Sequence, residues 1–347
     1  MSTFKREDLK NLQPYEVEKE KYEIKLDANE SFIEYEEKIK DEMAKVIKKV
    51  SLNRYPDGSC EELCRLYGKY IGVDESNIVA GNGSDELIGV IMNAFLNRGD
   101  TLGTVFPDFS MYKVYSQLLS INFKEIYDYT MDEIYVDLII ENINESKCDL
   151  FILSNPNNPT GKIIGRSDII KLLKGVNCLV VIDEAYMEFA SESVVDLVNE
   201  FENLIVLRTC SKALGLAFLR LGFCICNKAL KNEILKAKSP FNVSGLSGEL
   251  GKVVFQNREV IYENIDRLLK ERDRVYEKLK GNKNLQCVKP NGNFIFIKSD
   301  YADRIYEKLL DRGIRVRNFS GKLKDYFRIT IGSEKDNERL LHELLKI

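Results

Sequence analysis

The sequence predicts an α/β protein: a large domain on a mainly parallel sheet, accompanied by a smaller α+β domain. Two observations carry that expectation. From residue 77 onward, short apolar runs of strand length alternate with helix-period stretches, the pattern of strand–helix units stacked into a parallel sheet. After about residue 240 the alternation gives way to two long helical patterns, followed by short strands and further helices. A length of 347 residues accommodates one large and one smaller domain. The expected division is a large domain over 41–239, with 1–40 and 240–347 forming the small domain and an N-terminal arm.

The elements follow in order. Within 36–50, Ile39, Met43, Val46, Ile47 and Val50 fall at helical spacing; NRYPDGS breaks the pattern and EELCRLYGKY resumes it. NIVAG is a strand leading into the helix SDELIGVIMNAF, and TLGTVF leads into PDFSMYKVYSQLL. CDLFILSN, CLVVIDEAY, NLIVLRTCSKAL and LGFCICNKAL supply further apolar strands. Helical patterns at 245–257 and 258–280 precede the strands NFIFIK and FRITIG, with helices at 302–312 and 334–346. No internal repeat or low-complexity stretch interrupts the chain.

Composition narrows the class of function. Hydrophobic residues make up 44% and charged ones 31%, ordinary for a soluble globular protein. A net charge of -4 and the lack of a polybasic stretch exclude the electrostatic footprint of a nucleic-acid binder. No apolar run approaches the length of a membrane span. The opening MSTFKREDLK has no apolar middle region of the kind a signal peptide needs, so a cytoplasmic protein is expected. Of the eight cysteines, several lie in apolar strand-like runs, where a reduced thiol behaves as a small buried hydrophobe. Cys60 and Cys64 would share a helix face. With His342 as the one histidine and no second cysteine pair at zinc spacing, no metal site is expected. A Ser-His-Asp arrangement would have to recruit His342, which sits among Leu340, Leu341 and Leu344 and reads more plainly as a partly exposed helix-face residue.

Polar clusters interrupt the strands where an α/β enzyme collects ligand groups, at strand carboxyl ends. GNGSDE, at 81–86, joins a strand to a helix; its glycines let backbone amides approach an anion, although a plain turn with Ser84 as N-cap has the same residues. SNPNNPTG, at 154–161, is a stiff turn able to hold an asparagine amide in one orientation. VVIDEAY ends an apolar strand on Asp183, an acid costly to bury alone; a cationic ring nitrogen or a helix N-terminus would each suit it. In TCSKALGLAFLRLGF, Lys212 stands among small and apolar residues, where an amine can lose its proton and act as a nucleophile, and Arg220 follows eight positions later. Either could also be an ordinary surface charge on a helix.

NPNNPTG, DEAY and SKALGLAFLRLG, in this order and spacing, resemble the fold-type I pyridoxal-phosphate aminotransferases, and the resemblance spans the chain. LQPY, LDANE, NRYPDG, GNGSDE and DEAYMEF are similar to the histidinol-phosphate branch of that family. The resemblance implies a seven-stranded-type, mainly parallel sheet in the large domain. It also implies pyridoxal 5'-phosphate held as a Schiff base on Lys212, Asp183 against the pyridinium nitrogen, and Asn158 and Tyr186 on the ring oxygen. Ser84, Asp85, Ser211 and Arg220 would hold the phosphate, with Phe109 stacked on the ring where the branch usually has tyrosine. Tyr55 would reach the cofactor phosphate of a neighbouring subunit, giving a homodimer with shared active sites. Arg328 would receive the carboxylate of glutamate, Arg317 and Tyr15 the phosphate end of histidinol phosphate, and Asn29 would face the substrate. The partners implied are small amino and keto acids and a phosphorylated amine.

The chain departs from the branch in LDANESFIEYEE, which lacks the usual Pro and Gly, and at Phe218, where glycine is usual. Threonine-phosphate decarboxylases and aromatic aminotransferases share the cofactor motifs and stay open as alternatives, as does a cofactor-binding regulator without turnover.

Overall fold

A computed structural model of the chain describes residues 6, 9, 22–130 and 134–346. β1 (Ile24–Leu26), α1 (Glu37–Ile47) and α2 (Glu61–Ile71) come first. There follow β2 (Ile78–Gly81), α3 (Gly83–Phe95), β3 (Thr101–Phe106), α4 (Met111–Leu118), β4 (Asn122–Asp128), α5 (Val136–Glu145), β5 (Leu150–Ser154), α6 (Arg166–Gly175), β6 (Leu179–Asp183), β7 (Leu204–Thr209), β8 (Gly222–Cys226) and α7 (Lys228–Ala237). These strands form a seven-stranded sheet in the order β2-β8-β7-β6-β5-β3-β4. From β7 to β4 every pairing is parallel, and β8 runs antiparallel to both its neighbours.

The apolar runs form the middle of this sheet because both of its faces are covered. Alternate residues of β5, β6 and β7 feed opposite cores. Phe151, Leu153, Val180, Ile182, Leu204 and Val206 enter one, while Leu150, Ile152, Val181, Ile205 and Leu207 enter the other. A run apolar at every position is what a period of two demands when neither face meets water.

The rest of the chain is α8 (Gly245–Gln256), α9 (Arg258–Leu279), β9 (Gln286–Cys287), β10 (Phe294–Lys298), α10 (Ala302–Asp311), β11 (Ile314–Asn318), β12 (Tyr326–Thr330) and α11 (Glu334–Leu344). A second sheet has the order β1-β11-β12-β10-β9, with β1 parallel to β11 and the other pairs antiparallel. Residues before the first helix thus complete the sheet of the last ones. Helix α9 spans both units: Ile261 and Leu268 join the large core, Val275 and Leu279 the small one.

Several expectations need correction. Helix α3 begins at Gly83 with Asn82 flanking it, so Ser84 lies inside the first turn and is not the N-cap. Cys60 precedes α2 in a left-handed conformation (φ 52°) and does not share that helix with Cys64. Asp183 caps no helix; a short 3-10 turn, Met187–Phe189, follows it with Tyr186 at the flanking position. Lys212 and Arg220 lie on an irregular segment after β7, not on a helix face. Among the described residues no group of histidine, cysteine, aspartate or glutamate is placed to hold a metal ion, and no helix is long and apolar enough to cross a membrane.

Candidate active site

The carboxyl ends of β3, β5, β6 and β7 open on one side of the large sheet, where parallel strands leave a crevice for ligands. The cavity there, of about 930 Å³, is also walled by β11 and β12 of the small sheet and by the segment after β1. Asn29, Ser84, Asp85, Phe109, Asn158, Asp183, Tyr186, Ser211, Lys212, Arg220, Arg317 and Arg328 all line it, so residues scattered over 300 positions meet at one place. Tyr55 lies outside it, 82% exposed and stacked on Phe241 with ring centroids 4.6 Å apart. Tyr15 falls outside the described residues.

Lys212 is half-buried, and its Nζ donates to the Ala28 carbonyl at 2.8 Å. Burial, and then the nearby Arg328 guanidinium, push its amine down to about 8, so a substantial share is neutral near physiological pH. Asp183 is buried at the end of β6. Its carboxylate accepts from the Tyr112 hydroxyl at 2.8 Å and from the Ala185 N–H at 3.1 Å. Burial pushes this acid up to about 6 against those two donors, as expected of a carboxylate that lacks a cation beside it. The next residue, Glu184, turns to the other face of the strand and pairs there with the buried Arg208 at 2.8 Å.

Arg328, on β12, is buried and donates from Nη2 to the Asp27 carbonyl at 2.6 Å and from Nη1 to the Asn158 side-chain oxygen. Asn29, in a left-handed conformation at φ 53°, donates from Nδ2 to the Tyr186 hydroxyl at 2.9 Å. Three successive residues after β1 therefore serve the cavity: the carbonyls of Asp27 and Ala28 hold Arg328 and Lys212, and the Asn29 amide holds Tyr186.

At the other end, the first turn of α3 faces the cavity through Ser84 and Asp85. Asn82 contributes no side-chain cap, and Glu86 accepts from the Asn82 N–H at 2.7 Å, so first-turn amides stay available to an anion. Arg220 donates to Ser211 Oγ at 3.3 Å beside that turn. The approach of β8 is close: a Cβ on Gly222 would lie 2.2 Å from the Ser84 nitrogen. Gly222→Ala is therefore expected to destabilise the fold by about 1–3 kcal/mol and to weaken phosphate binding; urea unfolding and phosphate titration check it, and an unchanged unfolding midpoint would contradict the close packing.

Sequence reasoning missed Tyr112, Asp108 and the carbonyls of Asp27 and Ala28. Tyr112 had a signal, because it stands three positions after Phe109 at the start of α4, on the same side of the turn. A backbone carbonyl carries no such mark.

A histidinol-phosphate aminotransferase of Clostridium kluyveri is 46% identical over 346 residues, covering 99% of this chain and 98% of that one. Another, of Clostridium novyi, is 45% identical over 339 residues, covering 97% and 95%. The family described as Aminotransferase class I and II matches residues 22–344. The chain belongs to the class I and II aminotransferases and, within them, to the histidinol-phosphate aminotransferases. A solved histidinol-phosphate aminotransferase of Sinorhizobium meliloti, in complex with pyridoxal-5'-phosphate, shares the fold with a TM-score of 0.86 at 21% identity, covering 94% of this chain and 91% of that chain. The expected aminotransferase fold, with its seven-stranded, mostly parallel sheet, is thus met.

Proposed function

We propose that this aminotransferase exchanges an amino group between histidinol phosphate and 2-oxoglutarate, giving imidazole-acetol phosphate and glutamate, with pyridoxal 5'-phosphate held in the cavity. The observation that carries the proposal is the meeting of a partly neutral lysine, Lys212, with a buried carboxylate, Asp183, in one cavity. The residues fit that cofactor. An uncapped helix start with Arg220 and Ser211 beside it suits a phosphate, and the raised acid of Asp183 suits a cationic ring nitrogen.

Pyridoxal phosphate, when bound, supplies an aldehyde that condenses with amines and a ring that takes up the electrons of a bond broken beside it. With the cofactor bound, Lys212 Nζ would be the amine that holds it and the base that moves the substrate proton. Asp183 keeps the ring nitrogen protonated, and Tyr112 holds Asp183 in place. Tyr186 and Asn158 bind the ring oxygen; with Arg328 on its Oδ1, Asn158 keeps Nδ2 to donate. Phe109 would cover the ring, while Ser84, the backbone amide of Asp85, Ser211 and Arg220 would hold the phosphate.

Arg328 receives the carboxylate of glutamate, and Arg317, Tyr15 and Asn29 complete the substrate end. Arg328→Ala is expected to raise the KM for glutamate by roughly 30-fold or more while changing pyridoxal-phosphate affinity far less; steady-state kinetics and cofactor titration check this, and equal losses in both would make Arg328 a structural residue. Tyr55 belongs to the cavity of a second copy, in a homodimer with shared sites; its exposure, with that of Phe218 and Phe241, supports this. Eight cysteines without disulfides support a cytoplasmic location.

A single turnover without keto acid tests the reaction. Histidinol phosphate should bleach the visible band of the yellow enzyme, and 2-oxoglutarate should restore it. If histidinol phosphate is inert and threonine phosphate releases carbon dioxide, the reaction is a decarboxylation.

A further inference from the structure

Asp108 follows β3, lines the cavity, and has no part in the chemistry above. Its Oδ1 accepts from the Phe109 N–H at 2.8 Å and from the Ser154 hydroxyl. Its Oδ2 accepts from the Ser154 N–H at 3.1 Å and the Thr104 hydroxyl at 3.3 Å. Ser154 Oγ in turn accepts from the Asn158 N–H at 3.0 Å and from Asn157 Nδ2 at 3.3 Å.

These bonds stand where the backbone ladder stops. β3 and β5 pair only at Leu102 with Leu150 and at Gly103 with Phe151, so their carboxyl ends diverge beyond Gly103. One carboxylate bridges the gap, and four donors repay the cost of enclosing it. On the far side, Ser154 is in register with Asp183 across β5 and β6. The loop of the ring-covering Phe109, the loop of the ring-oxygen donor Asn158, and Asp183 are thereby fastened to one residue.

We infer that Asp108 is a positioning residue, which ties the Phe109 loop to the Asn158 loop and so sets the width of the slot that receives the cofactor ring. The inference rests on the cofactor reading above for its consequence, though the tie itself is a property of the chain alone. Asparagine would not replace it: an NH2 group in place of Oδ2 would face the Ser154 N–H, donor against donor. Enclosure pushes this acid up, and the bonds from Ser154 and the Phe109 N–H pull against that rise in favour of the carboxylate.

Asp108→Asn, Ser154→Ala and the double variant test it, with folding checked by circular dichroism. In the cofactor-free proteins, amide exchange should quicken by about tenfold or more at Phe109 and Asn158 in Asp108→Asn and at Asn158 in Ser154→Ala, with Val181 in β6 unchanged. Pyridoxal-phosphate affinity should fall by about tenfold or more, with a shifted visible absorption maximum. The double variant should be little worse than either single one, because the two residues share one tie. Unchanged exchange at Phe109 and Asn158, or losses that simply add, would overturn the inference. A wild-type protein that takes up no pyridoxal phosphate defeats the cofactor reading, while the exchange rates still decide whether Asp108 ties the loops. Should Asp108→Asn fail to fold, Ser154→Ala alone decides, since it removes the Asn158 half of the tie and leaves the carboxylate its other donors.

Discussion

Lys212→Ala is expected to lose turnover by about 10⁴-fold or more, because one amine serves both as covalent anchor and as proton carrier. Pyridoxal phosphate should still bind, without a covalent link, since the phosphate and ring contacts come from other residues. Turnover near the wild-type rate would show that another group does this work. The lowered amine also predicts a pH dependence in the cofactor-free protein. Its folded value is about 8 against an ordinary 10.5, so between those limits the unfolded chain binds the extra proton. Stability from this group therefore rises with pH across that window, and its cost is fully present below pH 8. Urea titrations at pH 7.5 and 10 should show the gain in the wild type and not in Lys212→Met; a gain of equal size in both would mean that other groups cause it.

Asp183→Asn is expected to lower kcat by about a hundredfold to a thousandfold, the cost of removing one preorganised charge partner. The fold should survive, because the amide oxygen can still accept from the Ala185 N–H while the NH2 group donates to the Tyr112 hydroxyl oxygen. In the cofactor-free wild type the folded acid sits near 6 against an ordinary 3.8, so the folded chain holds the extra proton and stability falls as pH rises through that window. Asp183→Asn removes that slope. Rapid-mixing kinetics with histidinol phosphate check the first outcome; a kcat within a few-fold of wild type would deny Asp183 its role at the ring.

How far the fold could be read from sequence depended on whether physics wrote itself into composition. The central strands β5, β6 and β7 were legible because burial on both faces makes every position apolar. β4, NFKEIYD, was not: it is the edge strand of its sheet, mostly exposed or half-buried, and carries Lys124 and Glu125 where an inner strand has aliphatic residues. β1 and β9 are three and two residues long, too short for any period to show. Helices α5, α6 and α7 also went unread between louder strand signals.

The site divides in the same way. Residues whose type suits one chemistry, such as Lys212 after a strand or Asp183 at the end of one, stood out singly, and the family resemblance assigned their roles. Residues that act by holding others did not. Asp108 looks like a loop acid and Tyr112 like a core aromatic until folding sets β3 and α4 beside β5 and β6, and the Asp27 and Ala28 carbonyls look like nothing until the segment after β1 crosses to the large sheet.

Whether Lys212 is the covalent seat of pyridoxal phosphate is decided by borohydride reduction of the yellow protein. After digestion and mass spectrometry, a single pyridoxyl adduct is expected, on the peptide carrying Lys212. An adduct on a different lysine, or none on a protein that is plainly yellow, would contradict that assignment.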